Sequence, residues 1–366
     1  MFTMNRIRSF TAGHRIIIGA VIIVILIVAV VANQYNSSMT SKSKRSATST
    51  ADSFQYKCKS DAKSLLCMEQ QYKTFTKNRG APAAFIKLKA AYAINPLVKT
   101  YCHQLSHVIG RTEADMVKNV DEAYSKGDNF CWSGYYHGVM ESIVVKIGAK
   151  NLPAKLPTIC AAIKAQKPYS FYHYNCVHGL GHGVMDVTDS NLFESLKMCD
   201  LLSNTWEKES CYGGVFMENE MDEVNPDHHS NYLKADQPMY PCTDVEQQYK
   251  YQCYLMQTSH ALRVANYDFA TVFTECSNID ANYIDVCYQS LGRDASGNSS
   301  SNVDKTKANC MLGANSDAQT NCIIGAVKDF VSYYHSDKQA NNLCLSLDNS
   351  LQQICQTTKA QYYKTF

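Results

Sequence analysis

The stretch from Ile16 to Ala32, IIIGAVIIVILIVAVVA, is an almost uninterrupted apolar run near the start of the chain. As a helix rising about 1.5 Å per residue it spans roughly 26 Å, close to the apolar core of a bilayer at about 30 Å. Arg6, Arg8 and Arg15 precede it and Lys42, Lys44 and Arg45 follow. A basic leading flank favours a cytoplasmic N-terminus. Val30 and Ala32 also offer the small residues of a signal-peptide cleavage site. The run is long for a signal peptide, so an uncleaved signal-anchor is the expectation, with a secreted body if cleavage occurs. Residues 33–56 then turn polar, rich in Ser, Thr and Lys, which predicts a flexible linker. The expected order is a cytoplasmic N-terminus over 1–15, a transmembrane signal-anchor over 16–32, a linker over 33–56 and an extracytoplasmic body over 57–366.

Within the body the pattern is set by cysteine. All 16 cysteines lie beyond residue 57. In chain order they form neighbours: Cys58/Cys67, Cys102/Cys131, Cys160/Cys176, Cys199/Cys211, Cys242/Cys253, Cys276/Cys287, Cys310/Cys322 and Cys344/Cys355. From Cys242 onward the first member of each pair recurs every 34 residues. A period of this size marks a two-helix repeat. Between the cysteines of a pair stand helix-start patterns, Asn204-x-x-Glu207, Thr243-x-x-Glu246, Ser316-x-x-Gln319 and Asn349-x-x-Gln352. The first cysteine is thus expected to end one helix and the second to lie a turn or two into the next. A disulfide there would staple an antiparallel hairpin. The fold class predicted is all-α: an array of seven or eight disulfide-stapled hairpins, solenoid-like, behind one N-terminal transmembrane helix. An even cysteine number on the exported side fits an oxidising compartment, and the absence of any C-x-x-C argues against zinc ribbons and thioredoxin-like sites.

Two interruptions stand out. The interval from Cys199 to Cys242 is longer than 34, and the excess falls in the polar, Pro-containing segment Asp222 to Pro241. A second polar stretch, Ala295 to Asn302, reads as a solvated loop. On its cysteine spacing the region 199–366 resembles the cysteine-rich Sel1-like, TPR-related α-hairpin repeat proteins. That resemblance implies an extracytoplasmic helical scaffold. It carries no functional residue, because the usual closer cysteine spacing and the L-G-x-x-Y signature are missing here.

The candidate chemistry lies on the helices that follow the cysteines. Three positions after the cysteine stand Gly134, Gly179, Gly214 and Gly325, and seven after it Gly138 and Gly183. Such a stripe suits close helix packing. Two, six and ten positions after Cys176 come His178, His182 and Asp186; six and ten after Cys131 come His137 and Glu141; and His103 and His107 are four apart on the preceding helix. A spacing of four places two imidazoles on one face, within reach of one ion. His103, His107, His137, His178 and His182 are therefore the predicted metal ligands, for zinc, copper or non-haem iron. Glu141, Asp186 and Glu218 are the candidate bases of a metal-dependent hydrolase. His173, His228, His229 and His260 could be recruited to the same site. Ser133, His137 and Glu141 mimic a Ser/His/acid trio, but no G-x-S-x-G elbow accompanies them. The competing function is a cell-surface scaffold whose tyrosine-rich concave face binds a protein or peptide; the chain has 24 tyrosines and 2 tryptophans. A net charge of +2 with interspersed signs excludes nucleic acid as an expected partner. The membrane is an expected partner through the N-terminal helix.

Overall fold

The computed structural model describes residue 58 and residues 64–222, 230–299 and 302–364. The expected anchor and linker lie outside the described residues, as do His228 and His229. No helix among the described residues is long and apolar enough to cross a membrane.

The described chain is all-α. Its helices are α1 (Ser64–Arg79), α2 (Ala81–Ile94), α3 (Pro96–Thr100), α4 (Cys102–Met116), α5 (Val120–Ser125), α6 (Gly134–Ile147), α7 (Leu152–Ile159), α8 (Ala161–Gln166) and α9 (Phe171–Val187). They continue as α10 (Leu192–Cys199), α11 (Thr205–Asp222), α12 (Gln247–Val264), α13 (Phe269–Ser277), α14 (Ile284–Asn298), α15 (Val303–Cys310), α16 (Ser316–Tyr334), α17 (Lys338–Leu345) and α18 (Asn349–Tyr363). The long helices α1, α4, α6, α9, α11, α12, α14, α16 and α18 form one row, each packed on the next. Short helices α10, α13, α15 and α17 lie against the long helix that follows them.

All eight sequential disulfides are present, and no free cysteine remains. Four of them follow the expected hairpin plan. Cys199 and Cys310 end their short helices, and Cys211 and Cys322 sit about two turns into the next. Cys276 and Cys344 each stand one residue before a helix end, bridged to Cys287 about one turn into α14 and Cys355 about two turns into α18. Closing a loop of 12 residues this way stabilises by roughly 3 kcal/mol in the chain-entropy picture.

The other four disulfides correct the plan. Cys67 lies in the first turn of α1 and Cys253 in the second turn of α12, as expected, but neither partner ends a helix. Cys58 stands ahead of α1 outside any helix, and Cys242 belongs to a turn. Cys160 caps the junction of α7 and α8. Cys102 and Cys131 join the start of α4 to the turn before α6 and so enclose both α4 and α5. The reason is that a disulfide constrains the separation and Cβ directions of two residues, not their secondary structure, and irregular chain meets that as well as a helix end. Cys67, Cys253, Cys287 and Cys355 therefore act as staples, like the other cysteines. Each sulfur is spent in a disulfide, and none belongs to a metal-ligand group.

Local capping explains the helix starts. Asn204 accepts from Glu207 N at 3.0 Å, and the Glu207 carboxylate reaches back to the Ser203 hydroxyl at 2.6 Å. Two starts fall one residue earlier than expected. Asn315, not Ser316, accepts from Ala318 N at 2.9 Å, and Asp348, not Asn349, accepts from Leu351 N at 3.3 Å. An Asn or Asp already standing at the cap position takes the role. Helix α12 begins only at Gln247, because Thr243 belongs to a turn in which Asp244 N and Val245 N both bond to Pro241 O.

Two polar segments are more ordered than a loop reading implies. Residues 230–246 form a strap held to α12 by Gln257, whose amide donates to Pro238 O and Tyr240 O, each at 2.8 Å. Ala295 to Asn298 are not a solvated loop but the last turn of α14, with Ala295 and Ser296 fully buried. Packing against neighbouring helices overrides their weak helix preference.

The row curls back on itself. Trp132 Nε1 donates to Asp329 Oδ1 at 2.8 Å, the Trp132 ring packs 4.3 Å from Tyr333, and Phe171 packs 4.4 Å from His335. These contacts join the C-terminal end of α16 to the segments leading into α6 and α9. A cavity of about 550 Å³ lies inside the curl, lined from α6, α9, α11, α12, α14, α16 and α18.

Candidate metal centre

Close helix approach sets the geometry. A Cβ on Gly138 would meet His107 O at 2.1 Å, and one on Gly214 would meet His178 O at 2.0 Å. Only a hydrogen fits there, so α4, α6, α9 and α11 run in near backbone contact and their histidine faces are drawn together. His107, His137, His178 and His182 are buried and His103 is half-buried. Neighbouring rings lie 4.5 Å apart for His103 and His107, 5.2 Å for His107 and His182, 4.8 Å for His137 and His182 and 4.9 Å for His137 and His178. Three groups each place one ligand atom per residue within 4.8 Å of the others: His103/His107/His137, His137/His178/His182 and His107/Glu141/His182.

The outer hydrogen bonds fix which ring nitrogen is protonated. His103 Nδ1 lies 2.9 Å from the Cys131 carbonyl, which can only accept, so Nδ1 carries the hydrogen. His107 Nδ1 donates to Glu141 Oε1, and His182 Nδ1 donates to Glu218 Oε2 at 2.6 Å. His137 Nε2 donates to Asn175 Oδ1 at 3.2 Å; the Asn175 amide is oriented by its own bond to Phe171 O at 2.9 Å. In neutral rings the inner nitrogens are then lone pairs. His103 Nε2 and His107 Nε2 face each other at 3.0 Å. His137 Nδ1 and His182 Nε2 have no hydrogen-bond partner among the described residues. Two neutral imidazoles cannot share a hydrogen bond through two lone pairs. A cation between them resolves the conflict. Burial, reinforced by repulsion from His107, holds His103 down to about 3. Burial holds His178 down to about 4 and, with repulsion among the imidazoles, His137 and His182 well below their ordinary value.

The acidic residues divide. Burial alone would raise the Glu141 carboxyl, but His107 and Arg111 beside it hold it well below the usual range. Arg111 Nη1 donates to its second oxygen at 2.5 Å. Glu141 thus has both oxygens engaged and orients His107, the arrangement of an outer partner. Glu218 does the same for His182. Asp186 is exposed near the end of α9 and belongs to none of the three groups. His173 packs 4.9 Å from Trp206 with Nε2 3.3 Å from Glu207, and His260 Nε2 lies 3.1 Å from Lys234 O; neither joins the cluster. Ser133 lines the cavity, but the acid of its supposed trio is committed to His107 and Arg111.

Three contributors escaped the sequence reading. Arg111 was visible as the third member of an i, i+4, i+8 series with His103 and His107. Asn175 had no local signal. The Cys131 carbonyl is aimed by a turn in which Cys131, Trp132 and Ser133 all have left-handed φ, at 59°, 54° and 61°. Such a conformation costs on the order of 1 kcal/mol per residue, and the bridge to Cys102 ties one end of the turn to α4.

Compared with known proteins, the chain matches no protein family, no curated protein and no solved structure. The likeness to Sel1-like repeats therefore rests on hairpin architecture alone.

Proposed function

We propose that this chain is an extracytoplasmic metalloprotein in which His103, His107, His137 and His182 hold a late first-row divalent ion at the edge of the central cavity. The observation that carries this reading is the grouping of imidazoles, His103 with His107 and His137, and His182 beside His107 and His137, each with an acceptor on its outer nitrogen. Neutral imidazoles suit zinc or copper. Iron of the two-histidine, one-carboxylate kind fits less well, because Glu141 already serves His107 and Arg111. Eight disulfides support an oxidising compartment, and the apolar run at Ile16 to Ala32 supports a membrane anchor for the body.

His137 and His178 also line the cavity, so the cluster opens onto the space where an organic molecule would sit. A zinc ion there supplies Lewis acidity for hydrolysis. The protein's own part is to orient the imidazoles through Glu141, Glu218, Asn175 and the Cys131 carbonyl, and to draw their helices together through Gly134, Gly138 and Gly214. A scaffold that binds peptide on its concave face would leave its histidines dispersed in separate interfaces; their convergence favours the metal.

The test is elemental analysis of the full chain, purified without a histidine tag, beside a His137→Ala/His182→Ala variant. The expected result is close to one zinc or copper per wild-type chain and almost none in the variant, with unchanged helical circular dichroism. A wild-type protein that holds no metal and takes up none from micromolar zinc or copper removes the proposal.

A further inference from the structure

The positions that carry histidine on α6 and α9 recur on the other long helices and face the same cavity. Six residues after the helix cysteine stand His137, His182, Met217, Ser259, Arg293 and Lys328; two after it stand Ser133, His178, Gly213, Leu255, Gln289 and Ile324. Eight of these positions, among them His137, Met217, Arg293 and Lys328, line the cavity wall. The wall therefore carries imidazoles from α6 and α9 and cations from α14 and α16.

The two cations differ. Arg293 is spent on the protein: it donates to Asp294 at 2.8 Å, to Ser259 Oγ at 2.7 Å and to Leu255 O at 2.8 Å. Lys328 is half-buried, bonds only to the neutral Gln289 Oε1 at 2.8 Å, and has no carboxylate at ion-pair distance among the described residues. Its neighbour Asp329 turns its Oδ1 to Trp132 instead. A half-buried ammonium without a counter-charge is costly unless something else supplies one. The same wall is aromatic, with Trp132, Phe171, Trp206 and Tyr362, and the exposed Tyr169 and Tyr174 also line it.

We propose that the cavity binds a flat organic anion, its aromatic or conjugated body stacked between the aromatic walls and its carboxylate or other anionic group on Lys328. A volume of about 550 Å³ suits a molecule of small-ligand size. This deepens the metalloprotein reading by naming what the ion faces, yet Lys328 and the histidines are separate residues and can be tested apart.

Both tryptophans of the chain stand in this wall, so tryptophan emission reports on it directly. The probes are 4-nitrocinnamate, a flat aromatic anion that quenches indole, and its uncharged amide. They are titrated into the full chain in lipid nanodiscs, both as purified and after chelator treatment. The expected result is saturable quenching with about tenfold tighter binding of the anion, in either metal state. Lys328→Met should bring the two probes within about twofold of each other, and Lys328→Arg should keep the preference. His137→Ala/His182→Ala should lose metal and keep it too. Absence of saturable quenching overturns the proposal, as does a preference that survives Lys328→Met. A preference that exists only in the metal-loaded protein and ignores Lys328 places the anion on the ion, which overturns the Lys328 assignment while supporting the metal. A Lys328-dependent preference in a protein that never holds metal sustains this proposal and removes the other.

Discussion

The pair α4/α6 and the pair α14/α16 are built on one plan and do different things. Cys102–Cys131 ties α4 to the turn before α6, whereas α14 and α16 are each stapled to the short helix before them, and each pair brings two backbones together through glycine: Gly138 against His107 O in the first, Gly325 against Gln289 O in the second. The first carries His103, His107 and His137, of which His137 lines the cavity, and the second carries Arg293 and Lys328, which both line it. The staple and the glycine contact are thus the scaffold, and one register of side chains carries the chemistry. A repeat protein can change function along its length without changing the repeat.

The comparison breaks most visibly at the glycines. A Cβ at Gly138 would lie 2.1 Å from His107 O and one at Gly325 would lie 1.8 Å from Gln289 O, so each must force the helices apart. Gly138→Ala and Gly325→Ala should each cost about 3 kcal/mol, read by denaturant unfolding. Only Gly138→Ala should also lower metal content. Equal metal loss in both variants would mean that the centre depends on the fold as a whole.

Next in size is the outer shell. Glu141→Gln keeps the shape but removes the charge that orients His107 and pairs with Arg111. Metal affinity should fall roughly 10- to 100-fold in competition with a chromophoric chelator, whereas Asp294→Asn in the other half should leave it unchanged.

Acid should separate the halves by sign. His103 falls to about 3 and His178 to about 4, from an ordinary value of 6.5. Between these values the unfolded chain binds more protons, so their contribution is full above pH 6.5 and is lost as pH falls, by up to about 1.4 kcal/mol per pH unit for each group. Asp329, raised by burial from 3.8 to about 6, runs the other way: its burial cost is relieved as pH drops below 6. Thermal midpoints of chelated protein from pH 7.5 to 4.5 should fall, and fall more steeply in Asp329→Asn. A flat profile would contradict burial of neutral imidazoles.

The smallest effect is expected at Asp186. It shares a cysteine register with Glu141 but is exposed. Asp186→Ala should change stability by less than about 0.5 kcal/mol and leave metal content alone.

That contrast also shows what was legible in the sequence. The cysteine rhythm disclosed the hairpins because a disulfide is a local constraint with a fixed reach. The same rhythm could not say which cysteines end helices, since Cys242 in its turn and Cys276 in its helix reach Cys253 and Cys287 equally well. The five histidines of the cluster were readable for a similar reason, since spacing of four keeps residues on one face. By the tenth position the stripe has drifted about 40° from the sixth on a helix of 3.6 residues per turn. Glu141 still reaches inward because Arg111 and His107 of α4 meet it, and no periodicity distinguishes it from Asp186. The closure of the row was invisible for a deeper reason. Trp132 and Asp329 are almost 200 residues apart, and the curvature that joins them sums small rotations at each hairpin.

The central claim, an all-imidazole centre fed by α4, α6 and α9, is met most directly by X-ray absorption at the zinc or copper edge of the metal-loaded full chain. Three or four nitrogen neighbours with the multiple-scattering pattern of imidazole, reduced in His137→Ala/His182→Ala, are the expected result. A shell of oxygens, a sulfur neighbour, or a spectrum unchanged by that variant would contradict it.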